Sequence, residues 1–174
     1  MLTIEPMSGY DMKKFSEQSL AHFWHESYGN LYPRLKRLAG AGLIRGRRES
    51  RTRAPDAIVY SLTSAGREAF LEWLDEAPEP ERPRSELVLK MFFGAHSSRD
   101  RLARLMDERR RDLEETRDRY AEIEAMLREG LEDRPEVPFW LITLRRGQLL
   151  TEARLRWCEE CATWLDRPRA EPPR

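Results

Sequence analysis

The sequence predicts a mainly α-helical fold in two parts: a small helical unit carrying a two-stranded β arm, then a pair of long antiparallel helices. Three observations predict it. A proline opens one short amphipathic helix, which ends in glycines and leads into two β-prone pieces around a cluster of arginines, all within residues 30–62. The stretch "DEAPEPERPRSE" (75–86) holds three prolines and no large apolar side chain, so it cannot pack and marks a boundary. Beyond it, apolar residues recur at heptad spacing over two long segments. At 36% charged and 40% hydrophobic, the 174 residues suit long helices with solvated outer faces rather than a disordered chain.

The first element is a helix starting near Ser8, after the breakers Pro6 and Gly9, with Met12, Phe15 and Leu20 on one face. "AHFWHESYG" reads as an aromatic turn. The next helix begins with Asn30 as N-cap, so that Leu31, Tyr32 and Pro33 fill the first turn, where backbone N–H groups lack partners and proline costs little. Leu31, Leu35 and Leu38 repeat at helical spacing until Gly40 and Gly42 stop it. Leu43 to about Arg47 and Ala57 to Leu62 then form a β-hairpin with a long, arginine-rich tip. Thr63 or Ser64 caps a further helix that carries Ala65, Ala69, Leu71 and Trp73.

In the second part, "LVLKMFFG" (87–94) is expected as a short apolar helix, destined for burial. Leu102, Met106, Leu113, Tyr120, Ile123 and Leu127 form a heptad seam over 99–129, with Arg109 and Thr116 in the intermediate seats. A second seam runs from Val137 to Leu165 through Leu141, Leu144, Thr151, Leu155 and Cys158, interrupted by Gln148. The short link "EGLEDRPEVP" makes the two helices antiparallel. Trp140, Trp157 and Trp164 lie off the seam and give the second helix a further apolar face, which a two-fold dimer would cover. The residues expected to carry dimerisation are Leu102, Met106, Leu113, Tyr120, Ile123, Leu127, Leu141, Leu144, Leu155 and Trp157; packing of that face on "LVLKMFF" within the chain is the alternative.

Charge separates where composition does not. The formal net charge is zero, yet residues 34–53 hold eight basic side chains against the single acid Glu49, a local balance of +7. Phosphate attraction depends on the local field, so this segregation points to nucleic acid. A helix, a second helix opened by proline and a basic β arm together make a winged helix-turn-helix, in which the second helix enters the major groove and the wing contacts backbone. Asn30, Tyr32 and Arg34 are the candidates for base-edge contact. Lys36, Arg37, Arg47, Arg48, Arg51 and Arg53 are the candidates for phosphate contact, joined by Lys13 and Lys14 from the preceding helix.

A resemblance agrees. "PMSGYDMKKF", "HFWHESYGNLYPRLKRLAGAGLI" and "YSLTSAGREAFLEWL" resemble, in order and spacing, the amino-terminal domain of the PadR family of bacterial transcriptional regulators. "RSELVLKMFFG" and "TLRRGQLLTEARLRWCEECATWL" resemble the dimerisation domain of the subclass that includes the virulence activator AphA. The resemblance implies a homodimeric regulator of double-stranded DNA with a pseudo-palindromic operator, a repressor relieved by a small hydrophobic or phenolic effector. Where the family has a full helix before "PMSGY", only "MLTIE" stands here, so the first helix is expected to be truncated. Ala57 and Ile58 replace basic residues common in relatives, which shifts the wing's reliance to Arg51 and Arg53. The expected organisation is a DNA-binding domain at 1–76, a Pro-rich linker at 77–86, a helical dimerisation domain at 87–166 and a disordered tail at 167–174.

Other readings fare worse. No glycine-rich phosphate loop occurs, and no motif sets a base beside a serine or cysteine, so an enzyme is not expected. His22 and His25 near Glu26 could be drawn as metal ligands, but histidines in an aromatic turn are more often packed or solvated, and no cofactor is expected. Cys158 and Cys161 lack a second ligand pair and read as reduced, half-buried residues. No apolar run approaches the roughly 18–20 residues needed to cross a bilayer, so the expected location is the cytoplasm, with no membrane partner. An effector pocket, if present, is expected to pair Trp24 or Trp73 with Trp140 or Trp157. The competing function is a dimeric interaction protein of the same family that has lost DNA binding.

Overall fold

The computed structural model describes residues 1–20, 23–24, 28–51, 54–81, 83–131 and 133–166. It divides into two compact units, Met1–Glu81 and Arg82–Arg174. In the first, strand β1 (Met7–Ser8) runs into helix α1 (Gly9–Ser19), and a 3-10 turn at Tyr28–Asn30 leads into helix α2 (Leu31–Gly40). The hairpin β2 (Ile44–Arg51) and β3 (Ala54–Leu62) follows, and helix α3 (Ser64–Asp75) ends the unit's regular structure.

Ser8 starts α1 with a reciprocal cap: its Oγ accepts from the Asp11 N–H at 3.2 Å while the Asp11 carboxylate accepts from the Ser8 N–H at 3.1 Å. Leu20, expected inside this helix, sits just past its end as the C-cap. In front of β1, the Ile4 N–H donates to the Met1 carbonyl at 2.9 Å, and Leu2 packs against the core formed by Met7, Met12, Leu35 and Ile44.

Asn30 is the residue before α2, but its side chain makes no capping bond; a 3-10 turn feeds the helix, so its backbone is already helical. Pro33 is in the first turn as expected. The far end closes as a Schellman motif: Gly42 has φ 74°, its N–H donates to Ala39, and the Leu43 N–H donates to Leu38.

The hairpin departs from expectation. Its strands run to Arg51 and from Ala54, so Arg48 and the Arg51 backbone stand on β2 with Arg47 and not in a long tip. Arginine and proline mask strand periodicity, which hid the extension. An extra residue on β3 between Ala54 and Ala57 shifts the register opposite Glu49–Arg51; Pro55, which has no N–H to give the ladder, falls in that bulge. Among the described residues the sheet has three strands in the order β1-β3-β2, the unexpected β1 pairing Met7 with Tyr60 and Ser8 with Val59.

Thr63 ties the unit together. Its Oγ1 accepts from the Gly66 N–H at 3.0 Å, and its hydroxyl proton is shared between the carbonyls of Gly42 at 2.8 Å and Leu43 at 3.0 Å. At Gly66 a Cβ would lie 1.9 Å from the Leu43 carbonyl oxygen, so only glycine lets α3 approach this turn.

In the second unit, helix α4 (Glu86–Phe92) precedes the long helices α5 (Arg99–Gly130) and α6 (Val137–Asp166). Each long helix buries a residue at every seventh position, Met106, Leu113, Tyr120 and Leu127 on α5 and Val137, Leu144, Thr151 and Cys158 on α6, with Leu102 and Gly147 buried beside them. At Gly147 a Cβ would meet the Tyr120 ring at 3.0 Å, so glycine makes room for the largest side chain of the seam. Gln148, which interrupts the apolar pattern, donates to Glu124 across the pair at 2.7 Å. Arg99 caps the far end of α6 by donating to the Leu165 carbonyl at 2.9 Å.

Two expectations for this unit need correction. The short helix α4 is not buried: only Leu87 and Met91 pack on the Met106, Leu113 and Cys158 cluster, while Phe92 is 79% exposed and Val88, Leu89 and Phe93 face solvent. The residues assigned to dimerisation are covered by their own chain. Leu102, Met106, Leu113, Tyr120, Leu127 and Leu144 are buried in the α5–α6 unit, and Ile123, Leu141, Leu155 and Trp157 pack half-buried against the same clusters. An antiparallel pair consumes its own heptad seam, so the apolar surface left exposed on the long helices includes Met126, Phe139, Ile142, Leu149 and Trp164, beside that of α4.

Candidate nucleic-acid interface

On α2, Leu31 and Leu35 hold the helix to the core, while Tyr32, Pro33, Lys36, Arg37 and also Leu38 are exposed. Tyr32 and Lys36 are one turn apart and share a flank; Pro33 and Arg37 form the next row outward. Tyr32 is 62% exposed, yet its ring lies over Gly9, where a Cβ would stand 2.7 Å from Cε1. The ring is therefore held against the start of α1 while its rim faces solvent. Tyr10 stands on that same first turn, 66% exposed, and was not singled out from sequence.

Arg34 parts company with Tyr32. Two residues apart on a helix, they project about 160° from each other. Arg34 lines an apolar cavity of the same unit, together with Trp24, Phe70 and Trp73.

The wing contributes a charged face. Ile44 is buried on the core side of β2, so Arg45 and Arg47, one and three residues on, project from the opposite side, and both are exposed. Arg47 lies 3.5 Å from Glu49, a loose surface pair that leaves most of its field available. Arg45 is a second candidate missed as a site residue, though its two-residue offset from Arg47 was the available signal. Arg48 follows Gly46 on the core-side row, beyond the packed residues, and is exposed. The Arg51 side chain and all of Arg53 lie outside the described residues, as do His22, His25 and Glu26. On α1, Lys13 and Lys14 are exposed, and Lys13 sits 3.7 Å from Glu17. The structure thus brings Asn30, Tyr32, Lys36 and Arg37 onto one helix and Arg45, Arg47 and Arg48 onto the adjoining strand, without an intervening carboxylate other than Glu49.

The cysteines take no part. Cys158 is buried in the α5–α6 seam and burial pushes its thiol up from the ordinary range; burial, then the neighbouring Cys158, does the same to Cys161. Neither is activated.

Comparison with known proteins gives this surface its context. A model of the transcriptional regulator PadR-like family matches residues 1–72, and a model of the virulence activator alpha C-terminal domain matches residues 83–166. The negative transcriptional regulator PadR of Bacillus subtilis is 32% identical over 88 residues, which span 50% of this chain and 48% of that relative, about half its length. Among solved structures, Bacillus subtilis PadR in complex with operator DNA is similar with a TM-score of 0.79 at 23% identity, covering 95% of this chain and 96% of that one. The same protein in complex with p-coumaric acid gives 0.73 at 24%, covering 95% and 94%. The Vibrio cholerae virulence activator AphA gives 0.70 at 25%, covering 95% and 93%. The chain thus carries a PadR-like transcriptional regulator domain followed by a virulence activator alpha C-terminal domain, domains of a family of transcriptional regulators and not of enzymes.

Proposed function

We propose that this chain is a homodimeric, sequence-specific repressor acting on double-stranded DNA in the cytoplasm and released by a small hydrophobic or phenolic effector. Residues 1–76 bind DNA, 77–86 join the parts and 87–166 dimerise. The observation that carries the reading is the exposed flank of α2 with Tyr32 and Lys36 in one row and Arg37 in the next, adjoining a strand that presents Arg45 and Arg47 from the same unit. Tyr32 and Asn30 face base edges in the major groove, and Lys36, Arg37, Arg47, Arg48, Arg51 and Arg53 bind phosphate, with Lys13 and Lys14 reaching it from α1. Repression and a phenolic effector are supported by the Bacillus subtilis relative, a negative regulator solved with operator DNA and with p-coumaric acid.

Genome-wide capture of bound DNA from the native cell tests this. A two-fold dimer should enrich a pseudo-palindrome whose half-sites lie about one helical turn, roughly 34 Å, or a multiple apart, and a phenolic acid should reduce the enrichment. Recovery of no common sequence would favour the family member that dimerises without reading DNA.

A further inference from the structure

One core cluster of the second unit gathers four sulfur atoms from three helices. Met106 on α5 and Cys158 on α6 are buried in it, and Met91 from α4 and Cys161 from α6 pack half-buried against it. Both cysteines of the chain are here, and the cluster's other members are leucines and Trp157. Cys158 and Cys161 stand three residues apart on α6, which sets their Cβ atoms about 5–6 Å apart on one face. After burial, the Cys158 thiol is the next influence on Cys161, so the two sulfurs are electrostatic neighbours. Rotation about Cα–Cβ can set them roughly 4.6 Å apart, the span of two collinear metal–sulfur bonds of about 2.3 Å each.

The donor set selects the ion. Among the described residues, no three histidine, cysteine or carboxylate side chains come together to hold a metal, unlike the four ligands of a structural zinc site. Paired thiolates beside thioethers instead suit a soft ion of low charge. Cys158 and Met106 also line a half-open cleft of about 330 Å³, and Cys161 is only half-buried, so an ion can enter without unfolding the helix pair. Burial opposes the Cys158 anion, but Arg109 and Arg110 favour it and offset the negative charge of a bis-thiolate complex.

We propose that Cys158 and Cys161 bind one copper(I) ion between their thiolates. Each thiol yields its proton to water as its sulfur–copper bond forms, and the copper keeps its oxidation state. Met91, Met106 and the surrounding leucines shield the ion from water. The site lies within the second unit and does not rest on the DNA-binding reading.

The test adds the coloured copper(I)–bicinchoninate complex to the full chain without oxygen and follows the loss of its colour. The wild type should take one copper per chain. Cys161→Ser should lower the affinity at least about 100-fold, beyond the roughly 10–100-fold that loss of a merely supporting residue costs. Cys158→Ala should do the same; if that buried position does not tolerate it, the half-buried Cys161 variant carries the test. X-ray absorption at the copper edge should find sulfur neighbours alone. No transfer of copper to the wild type, one copper per two chains, a smaller loss in Cys161→Ser, or nitrogen or oxygen neighbours would each overturn the proposal. Because no DNA enters the measurement, failure to bind an operator leaves this result standing, and the reverse holds too.

Discussion

Individual residues decide where this fold tolerates change. At Gly66 an added methyl meets the Leu43 backbone carbonyl, which cannot rotate away, whereas at Gly40 nothing lies within 4 Å. Gly66→Ala should therefore destabilise the protein by about 1–3 kcal/mol or more, as overpacking does. Gly40→Ala, at the last position of α2, should be neutral or stabilising by up to about 1 kcal/mol. Urea melts of the two variants read this, and equal shifts would refute the role given to Gly66. At Cys158 the folded protein holds the proton more tightly than the unfolded chain, so its stabilising effect is full below the ordinary thiol range and fades as pH rises through it. Thiol labelling at mildly alkaline pH should accordingly reach half-buried Cys161 before buried Cys158. Gly66 was not legible as a packing residue, since its partner is a backbone atom more than twenty positions upstream and sequence displays side chains only. Pro33 was legible because its constraint is local.

At the scale of elements, what could be read followed the range of the interaction. The long helices α5 and α6 were visible because a seven-residue repeat is written along each chain segment by itself. Strand β1 was not, for two residues carry no period and owe their state to pairing with β3. The hairpin's full length was hidden by Arg48, which the edge strand β2 accommodates, and by Pro55, which falls in the bulge of β3. The residues assigned to dimerisation pack within their own chain, since a heptad seam reveals that a partner exists without saying whether it is another chain. Leu144→Asp should thus unfold the second unit, costing several kcal/mol as a charge buried without a partner. Ile142→Asp, at a residue 67% exposed, should leave the melting temperature of the monomer nearly unchanged and weaken self-association. Sedimentation of both variants separates the two faces; an Ile142→Asp protein that associates as the wild type does would move the partner surface elsewhere. On the wing, Arg47→Ala should weaken binding to all DNA alike and lower the salt slope by roughly one unit, while Tyr32→Ala changes which sequences are preferred. If both variants altered affinity and preference alike, the division between phosphate and base contacts would fall.

Across the whole molecule, a neutral chain gathers eight basic side chains against one acid over residues 34–53 of its first unit, and leaves Phe92, Phe139, Ile142, Leu149 and Trp164 exposed on its second. The first property would attract a polyanion, and in the homodimer we propose the second would join two copies, doubling the contacts on a symmetric operator. The central claim is that the basic face of α2 and the wing reads DNA. Fluorescence anisotropy with the duplex upstream of its own gene and a scrambled duplex, over about 50–300 mM salt, tests it most directly. The account predicts tighter binding to the upstream duplex at every salt concentration and a steep linear fall of log affinity with log salt for both. No binding at the lowest salt, or binding that neither distinguishes the duplexes nor weakens with salt, would contradict it.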